Sequence, residues 1–390
     1  MSYICGIIDI GAKTVSFERL YAMSRSMARR GGVQMGAYIN RGTALSCGGS
    51  IFTPREPYTL VRGGRAYTAV LDGEIYNTRE LAKLMGRGDF SCAAEAVTET
   101  YISFGYDCAS MLDGVFSLAI YDECAGEVYL ARDPIGAKPL YYHKDGARVS
   151  FSSEIKGILR YMRNGIEVGR SALGELLRSA DTNVGGTELY RDVEELGAGS
   201  FAVCSALGVT VREYRGDVDR TLSRWRSERA ASLEEPNEKC DPRTLMGELL
   251  TAFDYPCFDE HMTSYLATLT RLCRSGERNA VIEDPALPTN LSYALERADR
   301  LGTMRGIVLG VTEPSGERDI KRRVFVAEEK RLAREAEALL SERSACLPKF
   351  FGGEILERVR AERDAKTRVR RLGIIIQSEL WLRRYPLILV

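Results

Sequence analysis

Short apolar runs separated by turn residues fill the first 215 residues of the chain. Glycine-containing segments at 62–65 and 144–147 interrupt them as turns. Runs of this length, rich in Val, Ile, Tyr and Phe, are typical of β-strands. We therefore predict strands at five positions: Ile4–Ile10, Tyr67–Leu71, Val115–Tyr121, Val128–Ala131 and Val149–Phe151.

Two segments of this region place apolar residues at helical rather than strand spacing. One helix is predicted over Phe17–Arg30. The other is predicted over Ala93–Phe104, where Val97, Tyr101 and Phe104 share a face. Strands with interleaved helices predict a layered α+β domain over residues 1–215.

The pattern changes after residue 215. A charged helix is predicted over Asp217–Ala231, and Pro236 and Pro242 then break it, which predicts a linker over 216–243. The last region, 244–390, is predicted to be mostly helical, with one buried strand at Arg305–Gly310. Its helix candidates are Leu245–Phe253, Met262–Cys273, Leu291–Arg300, Glu317–Glu342 and Glu354–Tyr385.

The composition indicates a cytoplasmic protein without a nucleic-acid or membrane partner. Fifty-four basic residues balance 54 acidic ones, so no general attraction to polyanions follows. No run approaches the roughly 18 apolar residues that a membrane helix needs, and no secretion signal precedes Asp9. Ten cysteines form no Cys-x-x-Cys pair, and His143 and His261 are the only histidines. We therefore predict single thiols and no metal site.

Six arginines near the C-terminus form the one local exception to this balance. They could form a nucleic-acid patch or a solvated helix face. We favour the solvated face, because Glu357, Glu362 and Asp364 are interleaved with them. The six are Arg358, Arg360, Arg363, Arg368, Arg370 and Arg371.

Five motifs in the first region carry a resemblance to a known family. They are Cys5–Ile8, Leu71–Asn77, Asp113–Phe116, Ala131–Tyr142 and Phe151–Lys156. In this order and at this spacing they resemble the class II glutamine amidotransferase domain of the glutamine-hydrolysing asparagine synthetases. The resemblance implies an N-terminal-nucleophile α-β-β-α sandwich of two antiparallel sheets, followed here by the mostly helical region. It continues more thinly at Trp381–Tyr385, which is similar to the last helix of a synthetase domain.

The resemblance implies a nucleophile at Cys5. In this family a cysteine thiol at the mature N-terminus attacks glutamine, and its own α-amine is the base. Residues 1–4 precede Cys5, so Cys5 becomes competent only after cleavage behind Ile4. Removal of Met1 exposes Ser2, roughly 10 Å away at about 3.3 Å per residue. The alternative role of Cys5 is a small buried strand residue.

Several positions depart from the family pattern. Asp72 stands where the family has the Asn of the oxyanion hole, and a carboxylate there repels the developing oxyanion. Gly73 and Glu74 match the substrate-binding motif, and they could retain ligand binding or form a structural turn. The family has a substrate-binding Asp shortly before the Glu that matches Glu95, but residues 92–94 here read Cys-Ala-Ala, so that charge is lost. No Arg lies between 41 and 55 to hold the substrate carboxylate.

The phosphate-binding loop of the synthetase half is missing from the sequence. Three glycine pairs lack its Asp or its position: Cys47–Ser50, Gly185–Thr187 and Phe351–Glu354. We therefore predict no cofactor and a truncated synthetase-like C-terminal region.

Three functions follow from these residues. The first is a catalytically degenerate asparagine-synthetase homologue that binds a glutamine-like small molecule or a second copy of itself. The second is a glutaminase that releases ammonia through Cys5 after processing. The third is a sensor for a ligand of different charge, because Asp72 is gained and the Asp near Ala93 is lost.

Overall fold

The computed structural model describes residues 2–9, 14–28, 34–49, 56–162, 166–179, 189–227, 320–385 and 387–389, together with residues 243, 246, 247, 250, 254 and 256. The described residues fall in two compact units. One contains 2–162 and 192–227, and the other contains 166–179, 189–191 and the residues from 243 onward. The predicted domain limits at 215 and 243 stay predictions. The segments predicted at 262–273, 291–300 and 305–310 lie outside the described residues.

The first unit is built on two six-stranded sheets in which every described strand pair is antiparallel. The first sheet runs, in spatial order, β11 (Val193–Glu195), β8 (Tyr141–Asp145), β9 (Arg148–Ser152), β1 (Ser2–Asp9), β3 (Thr43–Gly49) and β2 (Gln34–Asn40). The second runs β13 (Gly208–Glu213), β12 (Ser200–Ser205), β7 (Glu127–Arg132), β6 (Gly114–Asp122), β5 (Arg65–Ile75) and β4 (Tyr58–Arg62). All five predicted strands are present.

Strand alternation sorts the apolar residues of this unit into three cores. Between the sheets, Ile4 and Ile8 of β1 pack with Val70 of β5 and Leu130 of β7. On the outer face of the first sheet, Tyr3, Cys5 and Ile7 of β1 pack against helix α1 (Phe17–Ser26). On the outer face of the second, β5 and β6 pack against helix α3 (Ala93–Phe104). The order of layers is therefore α-β-β-α, which confirms the predicted fold.

The helices of the first unit include both helices that were predicted within residues 1–215. The predicted helix at 17–30 ends at Ser26, and the Oγ of Ser16 caps its start by accepting from Arg19 N at 3.4 Å. The helix predicted over 93–104 has those bounds. The other helices are α2 (Thr78–Leu84), α4 (Cys108–Met111), α5 (Ile155–Tyr161) and α7 (Val218–Ser227).

The second unit is helical apart from one short strand pair among its described residues. Strand β10 (Ile166–Val168) pairs in parallel with β14 (Leu387–Leu389). The predicted single helix over 354–385 is wrong in one respect, because it is broken at 361–364, where Asp364 caps a new helix by accepting from Thr367 N at 2.8 Å. The helices are α6 (Arg170–Ser179), α8 (Ile320–Ser341), α9 (Leu347–Phe351), α10 (Ile355–Arg360) and α11 (Ala365–Arg384).

Candidate functional site

Gly73 of β5 adopts a backbone conformation that favours glycine. Its φ is +113°, and a Cβ added there would lie 2.0 Å from the carbonyl oxygen of Val115 on β6. Any side chain would therefore clash with backbone. This close packing leaves the Gly73 N–H directed at the hydroxyl of Ser2, with a nitrogen-to-oxygen distance of 3.3 Å.

Ser2, at the start of β1, also contacts the carboxylate of Asp72. The Ser2 Oγ donates to Asp72 Oδ1 at 2.8 Å, and Ser153 Oγ donates to Oδ2 at 3.1 Å. Ser153 in turn accepts from Ile4 N at 2.9 Å. Ser2, Asp72 and Ser153 are all buried. With Lys138 they form a buried polar group that we call the Ser2 cluster.

Lys138 brings a positive charge to this cluster. Its Nζ lies 3.9 Å from Asp72 Oδ1, and its side chain is buried. Because burial penalises an isolated carboxylate strongly, the ammonium and the two serine hydroxyls help to offset the cost of enclosing Asp72.

The motif at 132–138 holds Lys138 in place. Asp133 accepts hydrogen bonds from the backbone of Ala137 and Lys138, each at 3.0 Å, and Arg132 Nε donates to the Lys138 carbonyl at 2.8 Å. Burial raises the pKa of Asp133, although these backbone hydrogen bonds oppose the rise. Arg132 and Asp133 are therefore positioning residues for the loop that carries Lys138.

Cys5 lies on the opposite face of β1. Its thiol is fully buried in a cluster with Tyr3, Ile7, Leu20 and Met23, against α1. Burial raises its pKa, the nearby Cys47 raises it further, and a hydrogen bond with Ser46 acts in the other direction. A thiol that stays protonated is a poor nucleophile. The structure thus places Cys5 as the buried strand residue of the alternative interpretation, and its role as a nucleophile stays a prediction.

Strand geometry explains this separation. Successive side chains of a strand point to opposite faces, so residues 2 and 5 cannot share one. Ser2 shares its parity with Ile4 and Ile8, which face the second sheet and β5. Ser2 was not predicted to be the neighbour of Asp72 and Gly73. The alternation of side chains along β1, which puts Ser2 on the same face as Ile4 and Ile8, is the signal that could have shown it.

Glu74 and Glu95, the other positions considered in the sequence, have partners outside the Ser2 cluster. Glu74 has an exposed side chain and pairs through its backbone with Val115. Glu95 accepts from the backbone of Ser91 at 2.6 Å and pairs with Arg87 at 3.0 Å. A second hydrogen bond, donated by the Ser91 hydroxyl, is the main cause that lowers the pKa of Glu95. Glu95 therefore stabilises the start of α3, beside the uncharged Ala93.

The C-terminal arginines lie on α10, α11 and the turn between them, and several pair with carboxylates. Arg368 pairs with Glu329 at 2.6 Å, and Arg371 pairs with Glu362 at 3.3 Å. Within the described part of the chain, no three His, Cys, Asp or Glu side chains are grouped to hold a metal ion. None of the described helices combines the length and apolarity needed to cross a membrane.

Similarity to known proteins agrees with the motifs. The glutamine amidotransferase domain family matches residues 1–215. Asparagine synthetase [glutamine-hydrolyzing] 3 of Bacillus subtilis is 32% identical over 164 residues, which are 41% of this chain and 27% of that protein. A putative asparagine synthetase of Methanocaldococcus jannaschii is 33% identical over 122 residues, 31% of this chain and 21% of that protein. The chain thus spans about a quarter of these curated relatives.

A glutamine phosphoribosylpyrophosphate amidotransferase from B. subtilis is a similar solved structure. The two chains are 13% identical, and the TM-score is 0.42. The match covers 82% of this chain and 70% of the other. The family match extends over more than half of the chain, and the two antiparallel sheets are observed directly. The chain belongs to the class II glutamine amidotransferase family and carries an asparagine-synthetase-like amidotransferase domain.

Proposed function

We propose that this chain is a catalytically degenerate member of its family, which neither hydrolyses glutamine nor makes asparagine. The observation that carries the proposal is the contact of Ser2 with Asp72 and Gly73. Because the Asp72–Gly73 pair matches the family's oxyanion-hole motif, we take Ser2, and not Cys5, to stand at the nucleophile position. In this chain that residue is a serine, where the family uses a cysteine.

Two chemical changes act together at this position. A serine hydroxyl is a weaker nucleophile than a thiol and depends on an adjacent base for activation. Asp72 adds negative charge where a tetrahedral intermediate develops its oxyanion, and loss of one oxyanion-hole donor alone slows catalysis about 100-fold to 1000-fold. The absent Arg and Asp that would hold the substrate's charged ends weaken glutamine binding further.

Glutamate release from glutamine tests the proposal. We expect the full-length protein to match the buffer blank, with or without ATP and aspartate. The double variant Ser2→Cys/Asp72→Asn restores the family's thiol and amide, so we expect it to exceed both single variants. Turnover by the unaltered protein would overturn the proposal, and Cys5→Ala serves as the matched control that locates such turnover.

One observation favours a second function, an amidase acting through Ser2 after removal of Met1. The Ser2 hydroxyl donates to a carboxylate and accepts from a backbone N–H, an arrangement compatible with an activated hydroxyl. Hydrolysis of a simple amide panel by the protein, abolished in Ser2→Ala and retained in Cys5→Ala, would establish it.

The processed form with Cys5 at the N-terminus is the third arrangement. Cleavage behind Ile4 would remove Ser2 and with it a donor to Asp72. We therefore expect intact mass spectrometry to find chains that begin at Met1 or Ser2. A population that begins at Cys5 would support the glutaminase instead.

We propose binding rather than turnover as the role of the retained domain. The gain of Asp72 and the loss of an Asp near Ala93 favour a ligand whose charge differs from that of glutamine. A thermal-shift screen of amino acids and their amides tests this, and stabilisation by glutamine above all others would contradict it.

A further inference from the structure

A cleft in the second unit is built like a small-molecule site, and the amidotransferase chemistry does not use it. It lies between α6 and the segment that contains α9, α10 and the start of α11. Its volume is about 770 Å³, within the usual range of about 300–1,000 Å³ for ligand pockets.

The floor of this cleft is apolar. It is formed by Leu177, Phe351, Ile355 and Val359. Gly174 of α6 allows the close approach, because a Cβ at that position would lie 3.3 Å from the ring of Phe351. Such a floor favours the apolar body of a ligand over its charged end.

Four arginines line the same cleft: Arg170, Arg178, Arg358 and Arg371. Arg170 donates to the Phe350 carbonyl at 2.7 Å, and its guanidinium lies 5.9 Å from the centre of the Phe351 ring. The Nε of Arg371 is buried and has no hydrogen-bond partner among the described residues. A buried donor without an acceptor is costly, and because the Arg371 side chain is about a fifth exposed, a turn of its guanidinium toward a ligand oxygen in the cleft would satisfy the donor.

Three carboxylates face these arginines. Glu175 pairs with Arg178 at 2.7 Å, Glu354 with Arg358 at 3.8 Å, and Glu362 with Arg371 at 3.3 Å. The first two pairs are more than half exposed, so each adds little stability and can be exchanged for a ligand anion. Among the described residues, these four guanidinium groups and three carboxylates leave an excess of positive charge.

We propose that this cleft binds a small organic oxyanion, with an aromatic or aliphatic body on the apolar floor and a phosphate or carboxylate against the arginines. Guanidinium groups match both anions with paired hydrogen bonds. The proposal is independent of the Ser2 cluster, so failure of either leaves the other standing.

Isothermal titration calorimetry of the full chain with phenyl phosphate and with benzoate tests the proposal. We expect saturable binding of at least one probe, and weaker or no binding of the neutral benzyl alcohol and of inorganic phosphate. Arg170→Gln and Arg371→Gln should each weaken that binding about ten-fold, the loss expected for one charge-assisted hydrogen bond. Tighter binding of phenyl phosphate would indicate a phosphate site, and tighter binding of benzoate would indicate a carboxylate site.

The matched control is Arg334→Gln, which removes the same charge from an exposed position on α8. It should bind the probe as the unaltered protein does. Absence of saturable binding, equal losses in the control, or equally tight binding of benzyl alcohol or inorganic phosphate would each overturn the proposal. Gly174→Leu, which adds a side chain toward Phe351, should also abolish binding while the arginines stay in place.

Discussion

The two faces of β1 hold different chemistry within one strand. On the face toward the second sheet, the Ser2 hydroxyl meets a buried carboxylate and a backbone N–H. On the face toward α1, the Cys5 thiol is enclosed by Tyr3, Ile7 and the helix, and burial raises its pKa. The more nucleophilic residue type thus lies away from the motif at 72–73, and the less nucleophilic one lies beside it.

Thiol labelling gives the largest expected contrast and tests the Cys5 face. Cys5 is fully buried, whereas Cys92 and Cys124 are exposed. Because a buried thiol reacts only when the fold opens, we expect it to react at least about 1000-fold more slowly with a maleimide than the exposed thiols. Peptide mapping over time measures the rates, and comparable labelling of all three would contradict the burial of Cys5.

Replacement of Gly73 tests the other face through the backbone. Gly73→Ala places a Cβ against the Val115 carbonyl at a positive φ, so we expect a loss of about 4 kcal/mol in the free energy of unfolding. Gly63→Ala is the control, because its φ is also positive but nothing lies within 4 Å. Its loss should be only about 1 kcal/mol. Urea denaturation compares the two variants. Equal losses in the free energy of unfolding would show that the contact with the Val115 carbonyl does not destabilise Gly73→Ala.

Replacement of Asp72 tests how much its carboxylate contributes to the stability of the folded protein. Asp72→Ala removes the acceptor for Ser2 and Ser153 and the partner of Lys138, and we expect a loss of about 3 kcal/mol. Asp72→Asn keeps an acceptor and should cost only about 1 kcal/mol. An unfolding curve for Asp72→Ala that matches the exposed control Asp89→Ala would show that the cluster contributes nothing to stability.

The smallest expected effect is the pH dependence of stability. Because the folded pKa of Cys5 is raised above the unfolded value, the unfolded thiol ionises first as pH rises. Its contribution is present below about pH 8.5 and is lost above it, at about 1.4 kcal/mol per pH unit at most. Cys5→Ala should flatten the pH dependence of urea midpoints above that pH. An unchanged slope in Cys5→Ala would contradict the shift.

Periodicity predicted the fold well where the pattern was strong. The runs at 115–121 and 128–131 became central strands, and the helix at 93–104 has its predicted bounds. Strands β2 and β3 were not predicted, because their small and polar residues carry little apolar signal although β3 is buried. The break at 361–364 was not predicted either, because charged residues such as Asp364 also occur within helices. Its role as a cap appears only from its hydrogen bond with Thr367 N.

The site was harder to predict than the fold. The motif at 72–74 was visible in the sequence, and so was the loss of an amide at Asp72. Its contact with Ser2 joins residues 70 positions apart in different sheets, and no local pattern encodes that pairing. The match of Cys5 rested on the motif Cys5–Ile8, and its role as a nucleophile stays a prediction; the alternation of side chains along β1 puts it on the face opposite Ser2.

Peptide mapping after incubation with a diazoketone analogue of glutamine, an alkylating mimic of the family's substrate, tests the central claim most directly. We expect the unaltered protein to carry no adduct at Ser2 and none at Cys5, because the domain is proposed to be catalytically degenerate. An adduct on either residue of the folded, unprocessed chain would show a reactive nucleophile with access to substrate and would contradict that proposal.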